Sequence, residues 1–459
     1  MVLQNHTQNK AEDKRKSKIS SAQIIALGFA GLILLGTLLL MLPISSQSRE
    51  WTSFGDALFT STSCCCVTGL VVHDTATYWS VFGKVVIITL IQIGGMGVVT
   101  FALLVAMSGG RRIGLRQRTL LQNSVSAPTV GGIVKHTRFI VKGTALFEGI
   151  GAVIIYPSMA REFGYLKAIP YSIFHSISAF CNAGFDLMGT EEAKYQSLTR
   201  FPTDPLMNIG IMFLIIVGGL GFFTWSDIKN HKGQFKRYSL QSKLSIVMAA
   251  ILCIVPAVIF FFAEFNHNSI GERIWLSLFQ SVTTRTAGFN TVDFGKMSQS
   301  GIMLMILLML TGASPGSTGG GMKTTTIAVL FATATSVFVR RNAPHFLGRR
   351  VGYDTIKRAV SILTMYITLF FIGGMIIFRV EQPYIEGLSL LDCLFESASA
   401  VATVGLTMGI TPSLHALSKI ILIALMYFGR VGGLTLIFAA VSNTKTAVSQ
   451  YPKEDLTIG

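Results

Sequence analysis

Four stretches of this chain read LFTSTSCCCVTGL (58–70), IFHSISAFCNAGF (173–185), LFQSVTTRTAGF (278–289) and LFESASAVATVGL (394–406). Each opens Leu/Ile-Phe-x-Ser and closes Gly-Leu or Gly-Phe. Phe to Gly is ten residues in three copies and nine in the third. The glycines Gly69, Gly184, Gly288 and Gly405 are separated by 115, 104 and 117 residues. Four copies at a near-constant period mark an internal repeat, and the repeat governs how every other segment is read.

Around these pieces lie long apolar runs at 22–43, 80–107, 139–157, 205–228, 241–264, 300–338, 357–380 and 416–441. Each is long enough to cross a hydrocarbon core of about 30 Å, whereas pieces of ~10–14 residues suit re-entrant segments. The expected unit is therefore span, re-entrant loop, span. The first run, Ile24 to Leu42, is long enough to span and lacks a good A-x-A site, so it reads as a retained helix and not a signal peptide. Half of the chain is hydrophobic (51%) and only 13% is charged, against about a quarter in soluble domains, which suits a lipid-facing surface.

The formal net charge is +16. Twenty-four of the 38 Lys and Arg residues fall in the N-terminus, 111–138, 229–243, 340–358 and the C-terminal tail. Alternate gaps are thus basic, the pattern of cytoplasmic loops, which places both termini in the cytoplasm. Confinement to short gaps between apolar runs argues against nucleic acid as a partner. The six cysteines (Cys64, Cys65, Cys66, Cys181, Cys253, Cys393) show no C-x-x-C or metal spacing and read as small buried side chains.

Every unit starts and returns on the cytoplasmic side, so the four are parallel. The expected fold is an all-α integral membrane protein with four helix–pore loop–helix repeats in a pseudo-fourfold ring about a central ion pore. Its divisions are a cytoplasmic tail (1–20), repeat 1 (21–108), a linker (109–138), repeat 2 (139–228), a linker (229–240), repeat 3 (241–338), a linker (339–356), repeat 4 (357–445) and a cytoplasmic tail (446–459). The second helices echo one another: IGGMGVVTF (93–101) matches VGGLGFFTW (217–225), and GGLT (432–435) is the expected counterpart in the fourth unit.

Non-helical backbone at membrane depth survives only when buried in protein or lining a cavity. The loops VTGL, NAGF, TAGF and TVGL are short and free of carboxylates. Four of them meeting on an axis would present rings of carbonyl oxygens that replace the hydration shell of K+. The short helix before each loop would aim its partially negative C-terminal end at the ion.

These four single-glycine loops resemble the filters of the Trk/Ktr/HKT potassium-uptake superfamily, over roughly residues 20–445. In that family each repeat supplies one filter glycine, here Gly69, Gly184, Gly288 and Gly405. The resemblance implies flanking filter residues Val67, Thr68, Asn182, Ala183, Thr286, Ala287, Thr403 and Val404. The short polar segment before the first span is similar to the Ktr type, since Trk-type subunits carry an additional helix pair there. Glycine in all four loops resembles the potassium-selective members. The absence of the longer tyrosine-bearing signature of potassium channels implies a more modest filter, with weaker discrimination against Na+.

The sixth span is interrupted by TGASPGSTGGGMKTTT (311–326). Gly312, Ala313, Ser314, Pro315, Gly316, Ser317, Thr318, Gly319, Gly320 and Gly321 cannot form an unbroken helix. The segment must face the pore or pack on protein. It is not a phosphate loop, because Met322 separates Gly321 from Lys323 and no strand precedes it. The resemblance implies an intramembrane gating loop below the filter. Arg430, in YFGRVGGLT (427–435), is an intramembrane charge and a functional candidate by default. Its guanidinium is expected to bond carbonyls of the 312–321 loop, hold it closed and raise an electrostatic barrier, with Lys323 assisting.

The expected function is gated K+ uptake across a bacterial plasma membrane, without covalent cofactor. The alternative is an ion-coupled secondary transporter of monovalent cations. Such a transporter would favour inverted repeats and often a proton-relay carboxylate within a span, and no such carboxylate stands out in the sequence. No HExxH motif or nucleophile–base set points to an enzyme. The basic loops either dock an acidic surface or simply follow the positive-inside pattern. By resemblance, the partners are a cytoplasmic nucleotide-binding ring signalled by ATP and ADP, a second copy of this chain, and membrane lipid. Stimulation by Na+ is likewise implied only by the resemblance.

Overall fold

A computed structural model describes residues 20–108, 114–124, 132–341 and 343–440. The expected tails (1–19 and 446–459), residues 441–445 with Lys445, and much of the 109–138 linker lie outside the described residues.

Unit 1 comprises α1 (Ser21–Met41), α2 (Phe54–Cys66), α3 (Val81–Met96) and α4 (Val98–Ser108), followed by a linker helix α5 (Leu115–Ser124). Unit 2 comprises α6 (Ile133–Phe163), α7 (Tyr165–Phe180), α8 (Pro205–Gly219) and α9 (Phe222–His231). Unit 3 comprises α10 (Leu240–Ala263), α11 (Ile270–Thr283), α12 (Gln299–Leu310) and α13 (Thr324–Phe338). A short hairpin, β1 (His345–Phe346) with β2 (Arg349–Arg350), precedes unit 4: α14 (Tyr353–Glu381), α15 (Leu390–Ala402), α16 (Ala416–Val431) and α17 (Gly433–Ala440).

The opening helices α1, α6, α10 and α14 run 21, 31, 24 and 29 residues and are apolar enough to span. Leu34 and Leu38 on α1, Val153 on α6, Ile254 and Val258 on α10, and Met375 on α14 stay exposed. Lipid is the solvent that suits such outer faces. The re-entrant helices α2, α11 and α15 begin at Ser53, Ser269 and Ser389, whose hydroxyls accept from Asp56 N, Glu272 N and Asp392 N. These caps satisfy amides that an isolated helix start leaves orphaned. The fourth re-entrant helix, α7, starts at Gly164 without a side-chain cap.

The expected linkers all lose end residues to helix, the 229–240 linker because α9 reaches His231 and α10 starts at Leu240. Helix α6 starts at Ile133 and α14 at Tyr353, so the 109–138 and 339–356 linkers give their last residues to helix. Lys135 and Arg138 on α6, and Tyr353, Asp354, Thr355 and Ile356 on α14, extend these helices past their apolar runs, and Gly132 and Gly352 stand at the N-caps.

A larger correction concerns the second span of each unit. The sequence predicts an interruption in unit 3 alone, but all four second spans are broken. Gly97, Gly221 and Gly432 adopt φ/ψ of 87/131°, 91/139° and 88/125°. Glycine reaches this region at little cost, and a side chain does not. The break turns α9 by 92° from α8. Unit 3 replaces the single glycine with the whole 311–323 segment. The repeat register of unit 4 changes too. A Cβ at Gly94, Gly218 or Gly429 would strike the carbonyl of Cys65, Phe180 or Val401, each four residues before a filter glycine. The counterparts of GGMG (94–97) and GGLG (218–221) are therefore GRVG (429–432), not GGLT. Arg430 occupies the place of Gly95 and Gly219.

Candidate ion pathway

Each re-entrant helix carries [L/I]-F-x-S-x-[S/T], and its two hydroxyls do different work. The first fixes the helix to the opening helix of its own unit. Ser61 Oγ donates to Ile33 O (2.7 Å), Ser176 Oγ to Glu148 O (2.5 Å), Ser281 Oγ to Cys253 O (2.6 Å) and Ser397 Oγ to Phe370 O (2.8 Å). The second holds the loop. Ser63 Oγ and Ser399 Oγ accept from Gly69 N (3.1 Å) and Gly405 N (2.9 Å). Ser178 Oγ and Thr283 Oγ1 donate to Phe185 O and Phe289 O, one residue past the glycine. Sequence reasoning used the first serine only to recognise the repeat. It missed the second hydroxyl, although the alternation was there to be read.

After the helix, Val67, Asn182, Thr286 and Thr403 turn the chain at φ of 57°, 59°, 62° and 52°. These are left-handed residues without the freedom of glycine, held in a costly conformation at a functional position. The next amides tie back to the helix. Thr68 N, Ala183 N and Val404 N donate to Ser63 O, Ser178 O and Ser399 O, each at 2.8 Å, and Ala287 N donates to Thr283 O at 3.0 Å. The third loop spans one residue fewer between donor and acceptor, and its shorter Phe–Gly spacing is absorbed there.

The four glycines then close a ring. A Cβ at Gly69 would lie 2.5 Å from Ala183 O, at Gly184 2.9 Å from Ala287 O, and at Gly288 2.5 Å from Val404 O; at Gly405 it would strike Thr68 O. Each glycine abuts the carbonyl of the next loop, and the fourth returns to the first. The units stand in chain order around one axis, with the carbonyls of Thr68, Ala183, Ala287 and Val404 each packed against the glycine of a neighbouring loop. All twelve filter candidates are brought together.

Outside the ring, a cavity of about 90 Å³ is lined by the four glycines, Asp74, Asp186 and Tyr195. Asp74 accepts from Ala76 N, Thr77 N and Tyr195 N. Burial, with a smaller push from Asp74, raises Asp186 to about 7. Arg285, just before the third loop, is buried, and its Nε and Nη2 find no hydrogen-bond partner among the described residues. Neither Asp186 nor Arg285 was singled out from sequence.

On the other side of the ring the 311–323 segment folds on itself, with Gly312 N donating to Met322 O (2.7 Å) and Thr324 N to Ala313 O (3.3 Å). Backbone groups freed by the broken helices receive it. Ser314 N donates to Gly219 O (3.1 Å), Thr318 N to Gly218 O (3.3 Å) and Gly321 N to Gly429 O (3.3 Å), while Phe222 N donates to Gly316 O (2.8 Å). Thr318 Oγ1 donates to Phe180 O at 3.0 Å. Gly319 and Gly320 press against the side chains of Thr286 and Thr403, so the loop tip touches two of the four turns that precede the glycines. Lys323 Nζ donates to Gly319 O at 2.7 Å. Arg430 donates from Nη1 to Thr318 O and from Nη2 to Gly94 O and Gly95 O, the last at 3.1 Å. A cavity of about 350 Å³ lies beyond the loop, lined by Lys323, Arg430, Ile25, Phe29 and Ile362 among others.

Intramembrane carboxylates were not singled out from the sequence. Glu148, on α6, has an Oε1 that is buried without a partner among the described residues. Its backbone carbonyl carries the Ser176 anchor.

A lipid-facing bundle of four like units, closed by a ring of four glycines packed against four backbone carbonyls and with a loop lying against one side of that ring, defines a membrane pore. The chain belongs to the TrkH family of cation transport proteins, whose family model matches residues 3–449. It is 37% identical to the potassium/sodium uptake protein NtpJ of Enterococcus hirae, covering 97% of this chain and 98% of that protein. It is 36% identical to the Ktr system potassium uptake protein B of Bacillus subtilis, covering 96% of this chain and 97% of that protein. Its fold is similar to the crystal structure of the potassium transporter TrkH from Vibrio parahaemolyticus, with a TM-score of 0.71 at 19% identity, over 92% of this chain and 86% of that one.

Proposed function

We propose that this chain is the pore-forming subunit of a gated K+ uptake system of the Ktr type. The observation that carries the reading is the cyclic contact of Gly69, Gly184, Gly288 and Gly405 with the carbonyls of Ala183, Ala287, Val404 and Thr68. Carbonyl oxygens on an axis substitute for the water shell of a permeating cation. The work is desolvation and rehydration, with no covalent bond made or broken. One main ring of carbonyls gives fewer coordination layers than a longer filter, so Na+ is discriminated modestly. The 312–321 loop, with Lys323 and Arg430, is the gate.

The division into four repeats joined by linkers, a plasma-membrane location and cytoplasmic termini accompany this reading. So do assembly as a homodimer and control by a cytoplasmic nucleotide-binding ring that senses ATP and ADP. Their support is the likeness to Ktr system proteins and the basic linkers. The test is Rb+ flux into liposomes holding the full chain, with and without competing Na+. Gly69→Ser should weaken preference for Rb+ over Na+, and an unchanged preference removes the filter assignment.

Glu148 favours a second reading, ion-coupled transport of monovalent cations, since intramembrane carboxylates serve proton and ion relays. Under it, Glu148→Gln would let flux follow the Rb+ gradient alone. Flux that already follows that gradient in the unaltered protein excludes it.

A further inference from the structure

The variable residue of [L/I]-F-x-S is Thr60, His175, Gln280 and Glu396 in the four units. All four are buried behind the loops they precede. In three units this residue crosses to the third residue beyond the filter glycine. His175 Nε2 accepts from Leu187 N at 3.2 Å. Gln280 Nε2 donates to Thr291 Oγ1 at 3.0 Å. Glu396 Oε1 accepts from Met408 N at 3.1 Å and from Thr407 Oγ1, while its Oε2 accepts from Thr411 Oγ1 at 2.7 Å. His175 Nδ1 faces Tyr171 O at 2.7 Å and so carries the ring proton, which leaves Nε2 as the acceptor.

In unit 1 the side chain at this position is the short Thr60. The corresponding residue beyond the glycine, Val72, is pinned from elsewhere. Tyr195, on the outer loop of unit 2, donates its hydroxyl to Val72 O at 2.9 Å, and its own amide is fixed on Asp74 Oδ2 at 2.9 Å. The bond that three units make internally is supplied to the first by its neighbour.

We propose that His175, Gln280, Glu396 and Tyr195 are positioning residues of the filter, setting how sharply it distinguishes K+ from Na+. Each loop is thereby held at two points, the first at the glycine (units 1 and 4) or the residue after it (units 2 and 3) and the second three residues beyond the glycine. Four chemically different side chains perform one geometric task, which separates the task from the identity of any of them. A filter that discriminates by carbonyl placement depends on the stiffness of that placement. The outer loop of unit 2 therefore belongs to the selectivity apparatus.

The inference rests on the filter reading above, and the experiment separates the two. Full-length protein in liposomes is assayed for Rb+ uptake, Na+ competition, apparent KM and maximal rate, with melting temperature measured in parallel. Tyr195→Phe removes one hydroxyl from a partly exposed loop residue and is expected to lower Rb+ over Na+ preference by about fivefold, the effect of one neutral hydrogen bond. His175→Leu should do the same, while His175→Gln, which installs the residue unit 3 already uses, should retain preference. Should His175→Leu fail to fold, Tyr195→Phe decides alone. Wild-type preference in a folded Tyr195→Phe protein overturns the inference. If Gly69→Ser shifts preference in the same assay while Tyr195→Phe does not, the filter reading stands and this one is lost. If neither shifts it, both are lost.

Discussion

Arg430 Nη1 donates to the carbonyl of Thr318, and its Nη2 donates to Gly94 O and Gly95 O on the far side of the cavity. One side chain from unit 4 thus ties the loop of unit 3 to the broken helix of unit 1. It stands where units 1 and 2 have glycine, Gly95 and Gly219.

Arg430→Gln should therefore raise basal Rb+ flux. Hydrogen bonds from a charged donor are each worth about 1.5–3 kcal/mol, so losing the clamp should favour the open loop by at least about tenfold. Flux at the wild-type level in a properly inserted protein would contradict the gate.

Deleting Gly319 and Gly320 should also raise basal flux, through a different cause. These residues press on Thr286 and Thr403, in two of the turns that precede the glycines. A loop shortened at its tip withdraws from the axis and loses its contacts with Lys323, while Arg430 keeps its partner Thr318 O. Liposome flux compared with the Arg430→Gln protein separates loss of the plug from loss of its clamp.

The anchoring serines make a stability prediction. Ser61→Ala and Ser397→Ala each remove a buried bond to the carbonyl of an opening helix. Those carbonyls already accept within their helices, so the cost should stay near 1 kcal/mol each. Thermal unfolding in detergent should register both, with ion preference little changed.

The outer mouth should be sensitive to pH. Asp186 is raised to about 7 by burial, with a smaller contribution from Asp74. Above that pH its carboxylate is charged and attracts cations; below it the group is neutral. Apparent KM for Rb+ should rise as pH falls through about 7. Asp186→Asn should show the high KM throughout and no pH dependence in this range.

The repeat, the four loops and the interrupted sixth span could be read from the sequence because each rests on local composition recurring at a fixed place. Gly97, Gly221 and Gly432 could not be read as breaks. A single glycine in an apolar run is equally a close-packing residue, and only its φ decides. The register of unit 4 was obscured because Arg430 replaces the glycine that would have aligned it. Thr318 as the partner of Arg430, and Tyr195 as the pin of Val72, are long-range pairings for which sequence offers no spacing rule. Glu148 escaped notice because one carboxylate barely alters the hydropathy of a 31-residue helix.

The closed circuit of Gly69, Gly184, Gly288 and Gly405 has a bearing on heredity. In a ring of four identical subunits, one codon change strikes every quadrant at once. Here the circuit is written out four times along a single gene, so each quadrant mutates alone. One could lose a residue before its glycine, another could acquire an arginine, and a third could borrow its neighbour's tyrosine, while three unaltered quarters kept the ring intact.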